Sequence, residues 1–241
     1  MPWGIQRQRR PAARPLLPPG MHRPAALLVA GCVAVTACLA LAFGHQASAG
    51  RLDAAMDARI QSALSSYQGP LHLLSQLGGL PSVAGLTAAL VLACLVTRRW
   101  GGAALAGLAV PAAVTLTEFV LKPLVGRSIH GYASFPSGHT TAVFALAATC
   151  VVLLASPPGP RLPRAVRVLL VAGAVLVAAV VPVAMVALGF HYFTDTVAGA
   201  AVGTGTVLLI ALLIDLARPP ARASRGPAAE DIAALSAGRL P

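Results

Sequence analysis

The chain has 241 residues, 57% of them hydrophobic and only 10% charged, with a mean hydropathy of +0.78. An ordinary soluble domain carries about 25% charged residues, so this composition excludes a soluble enzyme, a disordered chain and a disulfide-stapled secreted domain. The net charge of +11 comes from seventeen arginines and one lysine; their placement matters more than their sum, and nucleic acid is not the expected partner.

Residues 1–24 are rich in Arg and Pro and predict a basic cytoplasmic tail. Charge-free apolar runs then follow, each long enough for a helix of about 20 residues to cross a hydrocarbon core of about 30 Å. Trimmed at Gly, Pro and polar clusters, they give six spans at roughly 25–43, 80–97, 101–121, 139–156, 167–188 and 196–216. The runs are continuous and lack the alternation of a membrane strand. The expected fold is therefore all-α, a six-span domain over 25–217, with a second tail at 218–241. Ala47-Ser48-Ala49 resembles a signal-cleavage site, but the preceding apolar run is longer than a usual signal core. Residues 51–68 place Leu52, Met56, Ile60 and Leu64 at helical spacing, which predicts an amphipathic helix at the outer interface. Cys32, Cys38, Cys94 and Cys150 all fall in predicted spans, so no outward disulfide is expected.

Fourteen of the 18 basic residues fall in the tails and in the second and fourth connections. Only Arg51, Arg59, Lys122 and Arg127 fall on the other side. The positive-inside rule puts the fourteen in the cytoplasm of a cell-membrane protein. The connections after spans one, three and five then face outward.

Two outward connections collect the chain's polar residues. One carries Glu118, Lys122, Arg127, Ser128, His130 and Pro136-Ser137-Gly138-His139; the other carries His191 and Asp195. Lys122 and Arg127 can hold an anion, Arg by a fork matched to phosphate oxygens. Ser137 is a good N-cap for the span behind it, whose first N–H groups are free, and Gly138 admits a close ligand. His191 and Asp195, four apart, share a helix face, so the carboxylate can orient the imidazole as a nucleophile. His139 is left to protonate a leaving oxygen. Glu118 pairs with Lys122 at i, i+4 or handles a proton; His130 and Ser128 are undecided. The histidines come with cations rather than carboxylates, so no metal and no cofactor is expected.

This set resembles the phosphatidic acid phosphatase type 2 superfamily, whose pattern is KxxxxxxRP, PSGH and SRxxxxxHxxxD. PSGH stands unchanged at Pro136–His139, Lys122 matches the first motif, and His191 and Asp195 match the third. Two family arginines are absent: their places hold Ile129 and Met185, with Arg127 nearby as a substitute for one. The resemblance implies a metal-independent membrane phosphatase acting on a lipid phosphate or diphosphate, such as polyprenyl diphosphate, phosphatidate or phosphatidylglycerophosphate. His191 would form a phosphohistidine, with His139 as acid, Asp195 as orienter, and Lys122, Arg127, Ser137 and Gly138 on the phosphate. The alternatives are a silent lipid-phosphate binder and a lipid phosphotransferase.

Overall fold

The structure is a computed structural model and describes residues 15–18, 20–156 and 162–217. Among the described residues nine α-helices follow in chain order: α1 (His22–Phe43), α2 (Arg51–Leu64), α3 (Gln68–Ser75), α4 (Leu80–Val96), α5 (Trp100–Thr115), α6 (Lys122–Val125), α7 (Gly138–Ala155), α8 (Arg164–Ala187) and α9 (Phe193–Leu216). A π-helical turn, Leu116–Leu121, continues α5 into α6. A two-stranded hairpin pairs β1 (Ser128–Ile129) with β2 (Tyr132–Ala133).

Among the described residues five stretches are long and apolar enough to cross a membrane: α1, Trp100–Val125, α7, α8 and α9. The sixth candidate is α4, which qualifies only together with the helical stretch 51–78, from which it bends by 47°. These helices lie over the charge-free apolar runs of the sequence.

The centre of the bundle is packed by α5, α7 and α9. Leu105, Val110, Ala145, Val207 and Ala211 lie in its main core cluster. Small residues set the spacing, as helix packing in a membrane requires. Gly199 and Gly203 form a GxxxG pair on α9. A Cβ at Gly199 would come within 2.6 Å of the Ser137 carbonyl oxygen, and one at Gly203 would collide with Thr141. Gly205 lets Cys32 of α1 approach in the same way. The Gly199 and Gly203 contacts fix the N-terminal end of α7 against the N-terminal end of α9.

The two ends of the bundle differ. At one end Arg99 donates to the Leu153 carbonyl. There the Asp215 carboxylate accepts the backbone N–H groups of Leu16 and Leu17, and Ser156 donates to the Leu16 carbonyl. The basic tail expected at 1–24 is thus docked at Leu16 and Leu17, and α1 already begins at His22; residues 1–14 and 218–241 lie outside the described residues. All the outward connections of the sequence reading meet at the opposite end.

Helix α2 forms where an amphipathic helix was expected, but its inward face is a surprise. Ile60 and Leu64 do pack beside Leu71, Ala184 and Ala187. Its fully buried residue, however, is Asp53, while Leu52 is 53% exposed. The carboxylate turns inward because a buried cation awaits it.

Candidate active site

The α7 end of the site is built by local capping. Phe135, wholly buried beside Val125 and Ala198, anchors the loop before the helix. Ser137 has extended backbone, and its Oγ accepts from the Thr140 N–H. Its own N–H donates to the Asp195 carbonyl at 3.0 Å, tying α7 directly to α9. The first N–H groups of α7 have no intrahelical acceptor and form an anion-binding end. Above Gly138 lie the Glu118 carboxylate and the Lys122 ammonium, joined at 2.8 Å. His139 follows, backed by Gly78, where a Cβ would come within 2.9 Å of the His139 Cβ. His139 is within electrostatic reach of His191, Lys122 and Glu118.

The α9 end is capped by acids. The N–H groups of Tyr192, Phe193 and Thr194 donate to the carboxylates of Asp195, Asp57 and Asp53, at 3.1, 3.0 and 2.9 Å. Negative charge at a helix N-terminus is stabilising. Burial raises the Asp57 carboxyl to about 6, against the Phe193 N–H bond, which lowers it. Asp53 and Asp57 reach this helix from α2, and motif spacing gave no sign of either. The available signal was their own i, i+4 spacing on an amphipathic helix.

His191 is nearly buried, and its Nδ1 lies 3.7 Å from Asp195 Oδ2. That is an ion-pair distance, too long for a hydrogen bond. Asp195 is shared: its Oδ1 accepts from Arg127 Nη1 at 2.6 Å. With Nδ1 turned to the carboxylate, Nε2 is the free nitrogen. His191 also lines a cavity of about 590 Å³ with Asp57, Gln61, His130 and Ile129.

Arg127 differs from the expectation. It was expected on phosphate, yet its side chain is fully buried. Gly126, at φ +63°, ends α6 in the left-handed region and turns the next residue inward. The guanidinium is sandwiched between the Phe43 and Tyr192 rings, 4.5 and 4.3 Å from their centroids. Nη2 pairs with Asp53 at 2.5 Å, and Nη1 with Asp195 and with Thr194 Oγ1 at 2.8 Å. The fork matches carboxylates as well as phosphate, and here two carboxylates occupy it.

The places of the two family arginines are now explained differently. Ile129 is in β1 and lines the cavity. Met185 is buried in an apolar cluster with Val143 and Val181. His130 sits at the hairpin turn with φ +50°, beside Gly131 at +83°, as a type I′ turn requires.

Residues 108–219 match the sequence profile of the PAP2 superfamily. That stretch belongs to the PAP2 superfamily. It holds Glu118, Lys122, His139, His191 and Asp195. The crystal structure of a transmembrane PAP2-type phosphatidylglycerolphosphate phosphatase from Bacillus subtilis superposes with a TM-score of 0.57 at 20% identity. The match covers 76% of this chain and 93% of that one, and it shows the PAP2 transmembrane fold. No curated protein matches the sequence.

Proposed function

We propose that this protein is a membrane phosphatase of the PAP2 superfamily that hydrolyses a lipid phosphate or diphosphate. One observation carries the reading. Packing through Gly199 and Gly203 brings His139, in the first turn of α7 beside Lys122, to the same end as His191 and Asp195. A nucleophile, an acid and an anion cradle converge there. The PAP2 profile and the likeness to a phosphatidylglycerolphosphate phosphatase support it.

In the proposed reaction His191 Nε2 attacks phosphorus. The bond from phosphorus to the leaving oxygen breaks, that oxygen being the lipid's own in a monophosphate and the bridging one in a diphosphate, and it takes a proton from His139. The Lys122 ammonium and the α7 N–H groups hold the equatorial oxygens, where negative charge is spread. Asp195 stabilises the charged imidazole of the phosphohistidine. His139, now a base, takes a proton from water; the water oxygen attacks phosphorus and the P–N bond breaks, freeing inorganic phosphate. Phosphate release from a panel of phosphatidylglycerophosphate, phosphatidate and polyprenyl diphosphate tests this. Turnover is expected to persist in EDTA and to fall with vanadate. Loss in EDTA that a divalent cation restores would mean that the mechanism is wrong.

A silent lipid-phosphate binder is the rival reading, favoured by the engagement of Arg127 with carboxylates. It predicts vanadate binding without phosphate release. A phosphotransferase would consume the lipid only with an added acceptor.

The site end is proposed to face away from the cytoplasm, on the arginine distribution. A cysteine replacing Tyr132, 78% exposed on the hairpin, is expected to react with an impermeant thiol reagent in intact cells, after removal of the native cysteines. A cysteine replacing Arg98, exposed at the other end, is expected to be protected. The reverse pattern would invert the topology.

A further inference from the structure

Glu118 has no part in the reaction above, yet it occupies the centre of the cradle. A Cβ on Gly138 would collide with Glu118 Oε1 and would stand 3.8 Å from Lys122 Nζ. Glu118 Oε2 accepts from that same ammonium at 2.8 Å. A carboxylate therefore already lies where the α7 N-terminus and Lys122 meet. The residue sits on the π-helical turn Leu116–Leu121, a wide turn frequent at functional sites. Its side chain is 35% exposed, so it has room to leave.

We infer that the Glu118 carboxylate is a resident anion, which holds Lys122 and the first turn of α7 until a phosphate group displaces it. The inference rests on the proposal that this cradle is the phosphate site. Two anions cannot both claim one ammonium at this range without mutual repulsion. Glu118 therefore weakens the hold on any free phosphate dianion, including the product, and favours its release. A glutamate that merely ordered Lys122 would act with the opposite sign: removing it would loosen the lysine and weaken anion binding. A proton-handling glutamate would change turnover and leave anion affinity alone.

The test is titration of the purified full chain in detergent with orthovanadate and with inorganic phosphate. Glu118→Gln keeps the shape and removes the charge. It is expected to bind both anions about tenfold more tightly, the scale of one like-charge interaction at this range. Equal or weaker binding overturns the inference, and so does absence of binding in both proteins. Glu118→Asp draws the charge back by one methylene and is expected to tighten binding by about threefold. It decides the matter if Glu118→Gln does not elute folded, with equal or weaker binding again overturning the inference. Phosphate release by the wild type, measured in parallel, separates the two ideas. Release with an unchanged vanadate affinity ratio defeats only the role of Glu118. Tighter vanadate binding without release defeats only the phosphatase reading.

Discussion

Arg127→Ala is expected to lower stability by about 3–5 kcal/mol, because it strands Asp53 and Asp195 as uncompensated buried charges. That is a large share of the roughly 5–15 kcal/mol that holds a typical domain together. A melting temperature lower by on the order of 10 °C, read by circular dichroism in detergent, is the expected result. Arg127→Lys keeps the charge, but one ammonium cannot span Asp53, Asp195 and Thr194 as the fork does, so it falls between. Adding Asp53→Asn to Arg127→Met removes one stranded charge and is expected to recover part of the loss. Activity falls with the fold in these variants. A variant that melts like the wild type but loses vanadate affinity would return Arg127 to the phosphate.

His191→Ala is expected to cost on the order of 10⁴-fold in kcat or more, as loss of a nucleophile does, with a smaller change in melting temperature than Arg127→Ala. The residue is 8% exposed, so truncation removes packing, but its Nδ1 has no hydrogen bond to lose. His139→Ala is expected to cost about 10²–10⁴-fold on a lipid phosphate, the range of one general acid. With p-nitrophenyl phosphate, whose leaving group needs no proton, most of that deficit is expected to vanish. The His191 deficit is expected to remain. Kinetics of both variants on both substrates separate acid from nucleophile. Turnover by His191→Ala within tenfold of the wild type on both would sink the assignment.

The sequence by itself determined the membrane bundle and the identity of most candidate groups. Charge-free runs long enough to span are a one-dimensional property, and Val, Leu and Ala carry it without reference to partners. The PSGH segment and the His191–Asp195 pair are equally local, since a cap and an i, i+4 pair need only a few adjacent residues. Tertiary structure decided what the cations do. A guanidinium is satisfied by a phosphate or by a carboxylate, and spacing along the chain does not distinguish them. Arg127 met Asp53, 74 positions away, because Gly126 turned it inward and α2 laid its acidic face over the α9 N-terminus. Only that packing made Arg127 a buried strut and left Lys122, with Glu118 against it, at the mouth of α7. The physical reason is burial: an arginine closed off between two rings must find its counter-ions inside the protein.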